Sequence, residues 1–288
     1  MPGVLAVIGG SGLYVADDLE DVEELHVSTP FGAPSDAIVR GRMRGTDTTL
    51  LFLPRHGRGH RHSPSTINYR ANICALKLLG ATHVMSVSAV GSMKEHIAPG
   101  DLVVVDQFID LTKRRTSTFF DDGIAAHVPF ADPVCPIMAD AIHQAAKTTN
   151  ARVHKGGTYV CMEGPQFSTR AESLLYRTWG VDVIGMTNMP EAKLAREAEL
   201  PYATLALSTD YDCWHATEAD VSVEAVVAVL KSNVQYARQV ARKLAEALPD
   251  VSKSPARNAL KNAIMTSDEA LTEEVRARLD WILGAKQP

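Results

Sequence analysis

Tyr202-Ala203-Thr204-Leu205-Ala206-Leu207-Ser208-Thr209-Asp210-Tyr211-Asp212-Cys213-Trp214 is the stretch that decides how the chain reads. Its first half is a short apolar run after Pro201, as expected of a strand buried on both faces. Its second half places two carboxylates, Asp210 and Asp212, where that strand should end. In α/β sheets ligands sit beyond the carboxyl ends of strands. Residues two apart on an extended chain point the same way, so both acids can face one ligand. Close carboxylates split their pKa values, which suits a leaving group that needs a proton and also offers a donor. The local alternative is a helix cap or turn, since Asp favours both.

Working outward, other strand ends carry small or cationic residues. Residues 4–8 read as a buried strand opening into Gly9-Gly10-Ser11-Gly12, a turn whose N–H groups can approach an anion. The third glycine of the dinucleotide fingerprint is missing, because Leu13-Tyr14-Val15 follows. Residues 37–43 and 48–53 form an expected hairpin. It delivers Pro54-Arg55-His56-Gly57-Arg58-Gly59-His60-Arg61-His62, in which the planar fork of Arg55 matches phosphate oxygens and His56 adds a donor. The alternatives are a solvated basic loop or a metal site at His56, His60 and His62; the latter lacks helical or strand spacing and a nearby acid. A helix is expected over 66–79 and a strand over 83–90, ending in Ser88-Ala89-Val90-Gly91-Ser92.

Further strands are expected at 102–105, 157–163 and 181–186, the last ending at Met186-Thr187-Asn188. Residues 106–136, with Arg114, Arg115 and His127, read as one long irregular loop, a feature that usually marks function or an interface. Helices are expected at 140–147, 169–179 and 191–199. After a polar turn beyond Trp214, another has an apolar face of Val223, Val226, Val227, Leu230, Val234, Ala237, Ala241 and Leu244. A last helix starts near 268. Strands alternating with helices mean an α/β fold in a single domain. Residues 1–249 carry it, and 250–288 form a helical extension packed on or near it.

Bulk numbers exclude other classes. The chain has 288 residues, 45% hydrophobic and 22% charged, with net charge -5, which signals no nucleic-acid surface. Cys74, Cys135, Cys161 and Cys213 form no C-x-x-C pair, as expected of a reducing cytoplasm. The N-terminus lacks a basic leader, and no apolar run is long enough to span a bilayer.

Together, the hydroxyls, glycines and cations at 11, 55–56, 88–89 and 187 make an anion pocket, with the acid pair across from it. Such a pocket binds its anion through donors rather than metal and can release it as a nucleophile. An anion on one side and a proton donor on the other is what glycosyl transfer to phosphate needs.

At these residues the sequence resembles the methylthioadenosine phosphorylases within the trimeric purine nucleoside phosphorylase family. The resemblance rests on Gly-Gly-Ser-Gly-Leu at 9–13, Thr-Pro-Phe-Gly at 29–32, Arg-His-Gly-Arg at 55–58 and Tyr-Arg-Ala-Asn-Ile at 69–73. It continues with Pro-Gly-Asp at 99–101, Asp-Gln-Phe-Ile-Asp at 106–110, Glu-Gly-Pro-Gln-Phe-Ser at 163–168 and Thr-Asp-Tyr-Asp-Cys-Trp at 209–214.

It implies a mixed central β-sheet flanked by helices and phosphorolysis of 5′-methylthioadenosine, with no cofactor and inorganic phosphate as co-substrate. It implies phosphate binding by Ser11, Arg55, His56, Ser88, the N–H of Ala89 and Thr187. Met186 packs on the ribose, Phe167 on the base with Ser168 beside it, and Tyr211 belongs to the same substrate-binding set. Asp210 protonates or hydrogen-bonds N7, and Asp212 accepts from the 6-amino group. Val223 and Val226 line the 5′ pocket. His127 reaches a neighbouring subunit's substrate in a homotrimer, with a homohexamer as the alternative. On residue type alone, Met186, Phe167, Val223 and Val226 are also core residues, and Thr187 is also a helix cap.

Three other readings compete. Arg55-His56-Gly57 also resembles histidine phosphatases, but there the motif ends the first strand, and here a strand and turn precede it. A purine- or dinucleotide-binding regulatory module leaves the acid pair without a task. A phosphorylase acting on another nucleoside, such as 5′-deoxyadenosine, adenosine or methylthioinosine, differs least. For a 6-oxo purine an Asn would serve better than Asp210.

Overall fold

In the computed structural model, residues 3–13, 18–215 and 223–284 are described, with residues 11, 223–225 and 228 described in their backbone only. The apolar run at the N-terminus forms β1 (Val4–Gly9). The expected hairpin is β3 (Ile38–Met43) and β4 (Thr49–Pro54), antiparallel. Before it lies a strand that the sequence pattern hides, β2 (Leu19–Leu25). Four of its residues are acids, without the alternation of a half-buried strand. It holds to β3 at the sheet edge partly through ion pairs of Glu20 with Arg42 and Glu23 with Arg40.

Helix α1 (Tyr69–Leu78) starts later than the apolar spacing implies, because Asn68 caps it by accepting the Ala71 N–H at 3.1 Å. It leads to β5 (His83–Ser92) and β6 (Leu102–Val105). The segment expected to be irregular contains β7 (Gln107–Asp110), a four-residue edge strand too short to show a pattern. Helix α2 (Pro136–Ala146) begins earlier than expected, since Pro136 is an initiating residue rather than a breaker. Then come the short β8 (Val153–Lys155), unforeseen, and β9 (Thr158–Cys161). Helix α3 (Arg170–Thr178) starts with a Thr169–Glu172 capping box. The remaining elements are β10 (Val183–Gly185), α4 (Asn188–Glu197), β11 (Tyr202–Asp210), α5 (Val223–Glu246) and α6 (Glu273–Leu283).

The eleven strands make one mixed sheet, and β5 is its fork. Its first half pairs in parallel with β1, Leu5 to Ile8 lying opposite His83 to Ser86. Its far end pairs antiparallel with β10, at Gly91 and Ser92. On its other edge β11 runs parallel along its length. The fork opens where β1 stops, so the ends of β1, β4, β5, β10 and β11 surround one space. One face of the sheet packs Ile73, Leu76, Leu194 and Leu279 from α1, α4 and α6; the other packs Met138, Ile142, Ala237 and Leu244 from α2 and α5. Residues beyond 250 therefore contribute to the core, through Leu260, Val275, Leu279 and Ile282.

Beneath the fork lies a buried ion pair. Arg55 donates Nε to Glu191 Oε2 at 2.7 Å and Nη2 to Oε1 at 2.9 Å, and both side chains are shielded from solvent. The same guanidinium reaches the carbonyl of Val87 and the hydroxyl of Ser86. Glu191 also accepts from Ser86 and Tyr202. One bidentate pair thus joins the end of β4, the middle of β5, β11 and the first turn of α4. Removing one partner strands a buried charge, so Arg55→Met is expected to cost about 3–5 kcal/mol of stability. Arg55→Met with Glu191→Met is expected to cost clearly less than the sum of the two single changes. Urea denaturation of the three variants measures this, and additive losses would reject the pair as a coupled unit.

Candidate active site

The space at the fork is a cavity of about 490 Å³. Its floor is formed by Gly10, Gly12, Ser88, Ala89 and Thr187, with Arg55 and His56 beside them. Asp210 and Asp212 stand on one wall, Met162, Pro165, Phe167 and Met186 on another, and Leu13, Val226, Leu230 and Val234 on a third.

The anion end consists largely of neutral donors. Thr187 is not the cap it resembles: it makes no capping bond, and its hydroxyl lies 3.0 Å from Ser88 Oγ. Tyr159 OH lies 3.2 Å from the same Ser88 oxygen. His56 Nδ1 lies 2.8 Å from the His62 carbonyl, so it carries the proton and leaves Nε2 an acceptor in the neutral ring. Burial, helped by the nearby Arg55 charge, lowers the His56 pKa to about 4, overriding the bond to His62, so the ring is neutral at pH 7. The His56 and His60 rings stack at 4.2 Å and 11° rather than converging on a metal. No group of three His, Cys, Asp or Glu side chains suited to a metal occurs among the described residues.

The acid pair is held differently from an extended chain. A bulge between Ser208 and Asp210 re-aims the end of β11, and Asp212 has φ +52°, the left-handed region. Asp210 accepts the Thr209 hydroxyl at 2.6 Å and the Asp212 N–H at 2.8 Å. The turn alternative is therefore also realised, and the turn itself presents both acids to the cavity. Burial raises the Asp210 pKa, opposed by those two donors and reinforced by the charge of Asp212. Burial likewise raises that of Asp212, offset in part by Ser173, the Cys213 N–H and Ser168. Oδ2 of Asp212 is buried without a partner at hydrogen-bond distance among the described residues. Such an acceptor calls for a donor from a ligand.

Of the expected residues, Arg55, His56, Ser88, Ala89, Phe167, Met186, Thr187, Asp210, Asp212 and Val226 line this one cavity. Tyr211 does not: its ring stacks on that of His215 at 4.6 Å. Ser168 also sits behind the wall, its hydroxyl 3.7 Å from Met162 Sδ and its carbonyl accepting from Cys213. His127 lies outside its own chain's cavity, its N–H bonded to the Ala263 carbonyl. The side chains of Ser11 and Val223, and the polar turn at 216–222, lie outside the described residues.

Sequence reasoning missed Leu230 and Val234, which the same i, i+4 spacing from Val226 assigns to one face. It also missed Glu191, placed only as the first residue of the helix expected at 191–199.

Acids at a strand end and a glycine turn with hydroxyl donors line one cavity, an arrangement suited to transferring a glycosyl group to an anion. The chain belongs to the phosphorylase superfamily, whose profile matches residues 4–246, and within it to the S-methyl-5′-thioadenosine phosphorylases. It is 54% identical over 286 residues to the S-methyl-5′-thioadenosine phosphorylase of Geobacter sulfurreducens, with 99% of each chain covered. It is 52% identical over 290 residues to that of Thermosynechococcus vestitus, again with 99% of each covered. A methylthioadenosine phosphorylase from an antarctic soil metagenomic library superposes with TM-score 0.91 at 49% identity, over 98% of this chain and 99% of that one. The Schistosoma mansoni methylthioadenosine phosphorylase in complex with adenine superposes with TM-score 0.82 at 35% identity, over 99% of each chain.

Gly91 leaves room for the acid. A Cβ there would lie 2.9 Å from Asp210 Oδ1 and 3.1 Å from Ile184 Cγ2. The carboxylate can swing away, so Gly91→Ala is expected to fold with little loss while displacing Asp210. Turnover is expected to fall about 10²-fold, the scale of a misplaced group. Thermal unfolding and steady-state kinetics measure the two effects; unchanged turnover would show that the position of Asp210 does not matter.

Proposed function

We propose that this chain cleaves the glycosidic bond of 5′-methylthioadenosine with inorganic phosphate, releasing adenine and 5-methylthioribose 1-phosphate. The observation that carries this is the wall formed by Asp210 and Asp212: two buried acids with raised pKa values, one with an unpartnered oxygen. Asp210, protonated, donates to N7 as the bond to C1′ breaks. Asp212 accepts from the 6-amino group. Phosphate sits on Ser88, the Ala89 N–H, Thr187, His56, Arg55 and the turn at 9–12 with Ser11, and attacks C1′ from the opposite face. Met186 packs on the ribose and Phe167 on the base. The names of the relatives support this substrate. The reaction draws on no cofactor beyond phosphate. The enzyme works in purine and methionine salvage in the cytoplasm; no helix among the described residues is long and apolar enough to cross a membrane.

Incubation with methylthioadenosine is expected to release adenine only when phosphate is present, and a chelator should change nothing. Equal release without phosphate would make the enzyme a hydrolase. Asp210→Asn is expected to lower turnover by about 10²-fold or more, the scale of a general acid. Because burial holds the Asp210 pKa up, the acid form persists to higher pH than for an ordinary Asp and is lost as pH rises through the shifted value. The wild-type alkaline limb should therefore follow this group and disappear in Asp210→Asn. A near-normal turnover number in the variant excludes the role.

The apolar wall of Leu13, Val226, Leu230 and Val234 supports a thioether rather than a hydroxyl at the 5′ end. A buried hydroxyl without a partner costs about 1–3 kcal/mol. Val226→Ser is expected to narrow the preference for methylthioadenosine over adenosine, and an unchanged ratio of kcat/KM values would reject the assignment. The assembly is a homotrimer in which His127 completes the neighbour's 5′ pocket. Mixing inactive Asp210→Asn chains with inactive His127→Ala chains is then expected to restore part of the activity. No recovery after proven subunit exchange would place His127 outside any shared site.

A further inference from the structure

We propose that Arg115 is a positioning residue for this reaction, fixing the segment that packs on the base against the segment that packs on the sugar within one wall of the cavity. The inference rests on the activity proposed above. The Arg115 side chain is 1% exposed and lines no part of the cavity. Each of its five N–H groups has an acceptor. Nη1 donates to the carbonyls of Met186 at 2.7 Å and Met189 at 2.6 Å. Nη2 donates to the carbonyl of Glu163 at 2.6 Å and reaches that of Met162 at 3.5 Å. Nε faces Glu163 Oε1 at 3.4 Å. The guanidinium therefore holds two separate chain segments in one plane. One leaves β9 and continues through Met162 and Pro165 to Phe167; the other leaves β10 with Met186 and Thr187.

Both segments need such a partner. Met189 breaks the helical conformation at the start of α4, with φ −115° and ψ 132°. Buried carbonyls at such a break must find donors elsewhere. Nη1 also lies 3.2 Å from Tyr69 OH, which donates to the carbonyl of Pro64, a third lining residue. The loop that carries Arg115 is itself anchored. Glu163 accepts the N–H groups of Lys113 and Arg114 and the hydroxyl of Ser65. Burial alone would raise the Glu163 pKa, but these donors and Arg115 hold it below the ordinary value, so the anchor is charged at neutral pH. The knot ties residues 65, 113–115 and 163 together behind the cavity without touching the reacting atoms.

A lysine cannot replace this fork, since its three donors diverge from one nitrogen. Arg115→Lys is expected to fold, to lower kcat per folded protein about 10- to 10²-fold, and to weaken adenine binding about tenfold. The phosphate KM should change little, because the phosphate donors stand mostly on other strands. In Arg115→Ala, guanidinium ion at non-denaturing concentration should restore part of kcat. Arg257→Lys is the control; its guanidinium also meets a carbonyl, that of Thr82 at 3.2 Å, at the opposite end of β5. Folded fraction by circular dichroism, kinetics, and adenine affinity by calorimetry are measured together. Arg115→Lys with kcat and adenine affinity within twofold of wild type would overturn the proposal. So would loss of activity that only tracks loss of folded protein. A wild type that releases no adenine from methylthioadenosine would sink the activity alone, and the adenine affinities would still test the clamp.

Discussion

The buried pair of Arg55 and Glu191 is the constraint on which the rest depends. A guanidinium and a carboxylate out of water are tolerated only when their remaining donors and acceptors are met. Here Ser86 and the Val87 carbonyl, from β5, and Tyr202, from β11, meet them. Breaking any of these contacts exposes a charge to an apolar surrounding. The pair therefore fixes the end of β4 relative to β5 and β11 and one position of α4. Asn188, one turn away, extends the same network to Tyr202 and Thr204 at 2.7 and 2.6 Å. The cavity is thus framed by polar contacts beneath it as well as by the packing of side chains.

Much of this was legible in the sequence. The apolar run at 202–207, the acids after it, and the glycine and hydroxyl signals at other strand ends lead to residues that line one cavity, because strand ends and ligands obey a simple geometric rule. What stayed hidden has physical causes. Strand β2 is acidic at an edge, and β7 and β8 are too short to show a period. Glu191 and Arg115 are charged residues whose burial depends on partners 136 and up to 74 positions away. A local pattern reads both as surface. Tyr211, which the resemblance implies for the substrate set, packs instead on Trp214 and His215, beside a bulge and left-handed turn that no local pattern shows.

The two buried arginines do complementary work. Arg55 meets a carboxylate and secures strands; Arg115 meets carbonyls and secures the loops that follow them. Their targets converge on residues 186–191, reached from one side through Glu191 and from the other through the carbonyls of Met186 and Met189. This segment carries Met186 and Thr187 toward the cavity. A helix start with regular geometry would have used the Met189 carbonyl internally. Its irregularity leaves it for Arg115, and so couples the segment to the one that runs from Met162 to Phe167.

The electrostatics of the anion end follow from the same arrangement. Arg55 is compensated by Glu191, and His56 is neutral because burial outweighs the help it receives from the His62 carbonyl. Phosphate would therefore meet mainly dipoles: hydroxyls of Ser88 and Thr187, backbone N–H groups, and a ring nitrogen that accepts. An acceptor at His56 Nε2 favours a phosphate oxygen that carries a proton, leaving the unprotonated oxygens free to attack. Strong cationic binding would stabilise the anion before reaction as much as during it, which lowers KM without raising turnover. A nearly charge-compensated cradle holds the nucleophile in place and leaves its electrons available. The developing positive charge on the sugar would then lie between that anion and two acids whose charged forms burial disfavours, Asp210 as donor and Asp212 as acceptor.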